Sequence, residues 1–204
     1  MTIASGTRIL TARGEIPVEA LCEGDAVETV RGDFVPIVFL GRRFVDCTRH
    51  PRPMEMWPVR IRADAIADSV PARDLLLSPD HAVLIGDVLI AAGMLVNGVT
   101  ITQEPADEIA YRHVELSRHD IIFAEGLACA SCADEHGGAP FENGGKVMQL
   151  HPRFAALASA VAGFTRVSPS GEALSAIQRY LVDRGLVLAH WRGPATDRGS
   201  IVPG

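Results

Sequence analysis

Leu75-Leu76-Leu77-Ser78-Pro79-Asp80-His81-Ala82-Val83-Leu84-Ile85 sets a four-residue turn between two apolar runs. Proline and aspartate favour the turn, and the flanking aliphatic residues favour strands. A hydroxyl three positions before a histidine at such a junction can bring an oxygen and an imidazole beside one peptide bond. That is the equipment for cutting or rearranging a backbone. The same four residues also suit a plain turn, in which Ser78 caps and His81 bonds Asp80 or a backbone carbonyl.

Working outward, the turn lies in a long series of short extended runs. Ala82-Val83-Leu84-Ile85, Gly86-Asp87 and Val88-Leu89-Ile90 read as a hairpin with a two-residue loop. Thr7 to Thr11, Ile16 to Val18, Ala26 to Val30, Phe34 to Val45 (interrupted at Gly41), Val59 to Arg62, Tyr111 to Leu116 and Ile121 to Phe123 are further strand candidates. Glu19-Ala20-Leu21 suits one helical turn. No helix-length pattern separates the strands, which disfavours a parallel βαβ architecture. The expected fold is mostly β, built of many short antiparallel strands paired over long distances.

The tail differs. Ala133 to Gly145 reads as a loop, and the Ala-rich Phe154 to Phe164 as a helix. Glu172 to Arg184 carries Leu174, Ile177 and Leu181 at helical spacing. Ser168-Pro169-Ser170 is its start signal and Gly185 its stop signal. Val187-Leu188-Ala189 is a candidate last strand. The expected division is a β domain over 1–145 and a helical appendage over 146–204 packed on it.

Composition narrows the function. With 204 residues, 48% of them hydrophobic and 22% charged, the chain can bury a sizeable core. A formal net charge of −6 argues against a nucleic-acid or anionic-membrane partner. No apolar run reaches the roughly 18–20 residues of a membrane span, and Met1 to Gly6 lacks signal-peptide features. The expectation is a soluble protein with no address, its compartment and oligomeric state open. Cys22, Cys47, Cys129 and Cys132 form no dense disulfide framework. Cys129-Ala130-Ser131-Cys132 lacks the second pair a zinc site wants. Neither cofactor nor metal is expected.

Three blocks together resemble the Hint superfamily, the self-processing domains of Hedgehog proteins and inteins, and most of all its bacterial Hint-domain family. The first is Gly6-Thr7-Arg8-Ile9-Leu10-Thr11-Ala12-Arg13-Gly14. The second runs through Val59-Arg60-Ile61-Arg62 and Leu75 to Val83, with Leu95-Val96-Asn97-Gly98 after it. The third holds His113-Val114-Glu115-Leu116, His119-Asp120 and Ala124-Glu125-Gly126. The resemblance spans about residues 2–145 and implies a horseshoe-like β fold with an acyl-shift chemistry. A nucleophile at the domain's first position attacks the preceding carbonyl, so the upstream polypeptide is the substrate in cis.

Residue by residue, the resemblance assigns His81 to the second-block histidine and Ser78 to its usual threonine. His113 falls where inteins carry an aspartate, if one gap is allowed before His119. On an alternating strand it shares a face with Glu115, opposite Val114 and Leu116. His119 and Asp120 open the second half of the third block, although Asp120 equally suits a turn that satisfies backbone amides. Counting back from Gly6, the nucleophile position is Thr2, where the family pattern has cysteine. A hydroxyl ionises far less readily than a thiol, and as written only Met1 precedes it. Ala130-Ser131 stands where inteins end in His-Asn, so full splicing is not expected. One-ended self-cleavage is the leading reading. The competing ones are a degenerate Hint fold kept for binding or structure, and a small all-β hydrolase using His81 or His113 with an acid such as Asp80. For the last no Gly-x-Ser-x-Gly elbow is present. Many look-alikes belong to exported bacterial proteins.

Overall fold

The computed structural model describes residues 2–131, 165–166 and 171–192. The expectations for Cys132, Ala133 to Gly145, Phe154 to Phe164 and Ser168 to Ser170 lie outside the described residues. The described strands are β1 (Ile3–Ala4), β2 (Arg8–Thr11), β3 (Gly14–Pro17), β4 (Ala26–Glu28), β5 (Phe34–Asp46), β6 (Val59–Ile61), β7 (Leu75–Leu77), β8 (Ala82–Ile85), β9 (Val88–Ala91), β10 (Ile101–Gln103), β11 (Glu108–Leu116), β12 (Ile121–Ala124), β13 (Leu127–Ala130) and β14 (Thr165–Arg166). They follow one path, β10-β6-β7-β1-β11-β5-β4-β2-β12-β13-β8-β9-β14, with β3 paired to β2. Among the described strands only β14 on β9 is parallel. The mostly β, antiparallel expectation holds, and Val18–Ala20 forms the short helical turn.

Strand β5 joins the two halves of the sheet. Its first residues pair with β4, and Ile37 to Asp46 pair with Leu116 to Glu108 of β11. Val35 and Ile37 are buried while Phe34, Pro36 and Val38 face outward, the period-two signature of a half-covered sheet. Gly41 does not interrupt it; the strand runs unbroken to Asp46. The hairpin β8–β9 has the two-residue loop read from sequence, with Ile85 opposite Val88 and Gly86 at φ 64.

Strand β1 is only two residues long, yet it is central. Ile3 pairs with Leu77 on one side and with Arg112 on the other. Ile3, Val59, Ile61, Leu75, Leu77, Ile101 and Val114 are buried together in one core. Length and propensity cannot make such a strand; two neighbours and the burial of Ile3 do.

The tail departs from expectation. Helix α1 runs Glu172–Arg192, straight through Gly185 and over Val187-Leu188-Ala189. Gly185 is not a stop but a close-packing position. A Cβ there would meet Thr100 Oγ1 at 3.1 Å and Val99 at 3.4 Å. The helix lies on the 97–100 turn, where Asn97 Nδ2 donates to the carbonyl of Leu181 at 3.1 Å. The same side chain's Oδ1 accepts from the amides of Val99, Thr100 and Ile101. Leu174 and Leu181 enter the β core, and Arg184 Nε donates to the Asp64 carbonyl at 2.7 Å. Among the described residues no helix is long and apolar enough to cross a membrane.

Gly185→Val is expected to cost about 1–3 kcal/mol by overpacking against Val99 and Thr100. Gly185→Ala should be closer to neutral, since about 1 kcal/mol of helix propensity offsets its tight contact. Urea denaturation of the two variants checks this.

Candidate active site

The Ser78–His81 turn is built by its neighbours. Strand β7 delivers Ser78 and β8 leaves from Ala82. The His81 amide donates to the Ser78 carbonyl at 2.9 Å, closing the turn, and Ala92 and Gly93 donate to the carbonyls of His81 and Pro79 at 2.8 Å. Gly93 permits this approach, because a Cβ there would lie 3.1 Å from the Pro79 carbonyl oxygen.

Two hydrogen bonds tie this turn to Thr2. The Thr2 amide donates to Ser78 Oγ at 3.1 Å, and the Ser78 amide donates to the Thr2 carbonyl at 3.0 Å. They extend the β1–β7 pairing by one step, with a hydroxyl in place of a carbonyl acceptor. Thr2, Ser78 and His81 are all buried. Desolvation opposes ionisation of Asp80, but the Ser78 hydroxyl helps hold its carboxyl below the usual range.

His81 is 2% exposed, and neither ring nitrogen has a hydrogen-bond partner of good geometry. Burial pushes its pKa down to about 3, against an opposing pull from the Thr2 backbone that favours the charged form. At neutral pH the ring is therefore uncharged. A neutral imidazole offers one N–H and one lone pair. Buried polar groups are normally satisfied, which makes this ring an exception among the described residues.

A narrow cleft adjoins it, lined by Ile3, His81, Arg112, Val114, Ile122, Ala130 and Ser131. The face of β11 that opens to it is that of Arg112 and Val114. His113 packs its ring edge-on to Phe39, with centroids 6.3 Å apart, and its Nε2 lies 4.0 Å from Glu115 Oε2. It stands opposite Gly41 across the ladder, and a charge on it would further disfavour protonation of His81.

Asp120 is fully buried and tied into the structure. Its Oδ1 accepts from the Ile121 amide at 2.9 Å and its Oδ2 from Arg118 Nε at 3.2 Å. Its amide donates to Ser131 Oγ at 2.9 Å, while the Ser131 amide donates to its carbonyl at 2.8 Å. This knot closes the base of the β12–β13 hairpin and steadies Ser131 at the cleft wall. Both ring nitrogens of His119 are buried without partners, and burial lowers its pKa despite the nearby Asp120, yet His119 does not line the cleft.

Thus Thr2, Ser78 and His81 come together, with His113 near enough to act electrostatically on His81, while His119 and Asp120 do not line the cleft. Sequence reasoning passed over Arg112. The signal was available: strand alternation puts it on the opposite face from His113.

The two buried imidazoles make stability acid-sensitive. The folded-state pKa of His81 lies below the ordinary value of 6.5, so the unfolded chain takes up protons first as pH falls. Stability is full above about 6.5 and lost progressively toward about 3. His81→Asn should flatten part of that decline in denaturant midpoints compared at pH 7 and 4.5.

A family model for the Hint domain matches residues 1–136. Among solved structures, the chain is similar to a bacterial intein-like domain from Clostridium thermocellum, at 15% identity and TM-score 0.48, over 64% of this chain and 98% of that one. It is also similar to a DnaB intein from Synechocystis sp. PCC 6803, at 8% identity and TM-score 0.46, over 65% and 99%. A search of the curated proteins found no significant match. The family match covers more than half of the chain and includes β1, the Ser78–His81 turn and the whole of β11 to β13, and on that ground the chain belongs to the Hint domain family.

Proposed function

We propose that this domain cleaves the peptide bond at its own N-terminal junction by an acyl shift. The observation that carries the reading is the paired hydrogen bonding of the Thr2 backbone to Ser78 beside an unpartnered, neutral His81. The upstream polypeptide is the substrate.

The reaction begins at the Thr2 hydroxyl. Its oxygen attacks the carbonyl carbon of the preceding residue while the His81 lone pair accepts its proton. The resulting tetrahedral centre collapses when the imidazolium returns that proton to the Thr2 nitrogen. The C–N bond breaks, the C–O bond is kept, and an ester replaces the amide. Ser78 Oγ, accepting from the Thr2 amide, orients the nitrogen that must become the leaving group. Water then hydrolyses the ester, releasing the upstream chain as an acid and restoring the Thr2 hydroxyl. The low proton affinity of His81 suits it to pass the proton on rather than retain it.

A second reading has one observation in its favour. Thr2 is a hydroxyl where the family pattern has a thiol, which fits a Hint fold kept for binding or structure after its chemistry decayed.

A reporter domain fused before residue 1 separates the two. With Thr2→Cys and dithiothreitol, N-terminal release is expected to be at least about tenfold faster than with Thr2. His81→Ala should slow it by about 10²–10⁴-fold, the usual worth of a positioned acid-base group. No release from the Thr2→Cys protein, or release indifferent to His81→Ala, defeats the acyl-shift reading.

A further inference from the structure

His81 is aimed by its backbone. Its ring nitrogens make no hydrogen bond of good geometry, so main-chain bonds and packing alone orient the ring. Its carbonyl is fixed from outside the turn, by the Ala92 amide at 2.8 Å, and the Gly93 amide donates to the Pro79 carbonyl at the same distance. Both donors open the short helical turn Ala92–Leu95, whose start has no side-chain cap. A single helical turn is not self-supporting. Whatever holds Ala92–Leu95 in place therefore holds the His81 backbone.

Helix α1 supplies that hold. Gln178 Nε2 donates to the Met94 carbonyl at 2.8 Å, across 84 positions of chain. Residues three apart on a helix are surface neighbours, and three residues on, the Leu181 carbonyl accepts from Asn97 Nδ2 at 3.1 Å. The 94–97 segment is thus clasped at both ends by one helix. Between the clasps Leu95 is fully buried, in one core with Ala92, Leu174 and Leu181. Helix α1 lies outside the family-matched span.

We infer that Gln178 is a positioning residue for His81. It acts through Met94 and the Ala92–Leu95 turn, whose first two amides set the backbone on which the imidazole is carried. Its effect on the reaction rests on the acyl-shift reading. Removing the Gln178 donor leaves the Met94 carbonyl unmatched and loosens the turn, and a proton-transfer group out of place loses rate steeply.

The test compares, in the full chain, Gln178→Glu, which keeps the shape without a donor, and Gln178→Lys, which restores a donor. Gln178→Ala repeats the loss without a charge, and all three residues suit a helix. Amide hydrogen exchange is followed at Ala92 and Gly93, with the Cys47 amide, bonded to the Asp107 carbonyl at 2.8 Å, as the reference for general loosening. Gln178→Glu and Gln178→Ala are expected to speed exchange at Ala92 and Gly93 about tenfold with Cys47 unchanged. They should also shift the His81 imidazole resonances and slow release from the Thr2→Cys reporter fusion about tenfold. Gln178→Lys should recover all three. Exchange and His81 resonances that keep their original values overturn the positioning role, as does exchange that rises equally at Cys47, or a Gln178→Lys protein that behaves like Gln178→Ala. Undiminished release from Gln178→Glu, with His81→Ala still slowing it, overturns the positioning role and leaves the acyl shift standing. No release from the Thr2→Cys fusion with Gln178 intact defeats the acyl shift and the part of Gln178 in it.

Discussion

The site depends on a two-residue strand held from both sides. Ile3 pairs with Leu77 and with Arg112, and Thr2 continues the pairing through Ser78. A strand that short has no stability of its own. Its position is imposed by the core packed on Ile3 and by the ladders on either flank. In the proposed acyl shift the scissile bond lies on the upstream side of Thr2, and this constraint would supply its orientation before any chemistry.

Against that fixed peptide the fold sets a group it leaves unsatisfied. Burying an imidazole with neither nitrogen hydrogen-bonded is costly, and the Ser78–His81 turn is over-determined enough to bear it. Three backbone hydrogen bonds hold the turn to itself and to the 92–93 segment. Neutrality follows from burial, and it leaves the ring one donor and one acceptor. The opposite wall is steadied differently. There Asp120 accepts from Arg118 and the Ile121 amide, with Ser131 on its own amide. Helix α1 lies farther away, bonded through Leu181 to Asn97 in the turn that precedes β10.

Much of the fold was legible from local pattern. The β8–β9 hairpin needs only two adjacent apolar runs and Gly86-Asp87, all within ten residues. The face of β5 follows from its alternation, and the start of α1 from helical spacing of Leu174, Ile177 and Leu181. Three blocks of residues pointed to the Hint family before any geometry was available. Where reading failed, the cause was non-local. Gly185 resembles a helix stop until the 97–100 turn is seen beneath it, and Val187 to Ala189, β-prone in isolation, continues the helix that Leu174 and Leu181 anchor in the core.

By itself, then, the sequence determined that this chain forms many short antiparallel strands and that Ser78 and His81 belong to one turn, because those properties depend on neighbours within a few residues. It also marked Thr2 as the departure from a thiol. Tertiary structure alone decided that Ile3–Ala4 is a central strand, that Thr2 meets Ser78 across 76 positions of chain, and that Arg112 lines the cleft beside His81. The physical reason is that register and burial are set by pairing between distant segments. One residue of register decides which side chain of an alternating strand enters a site.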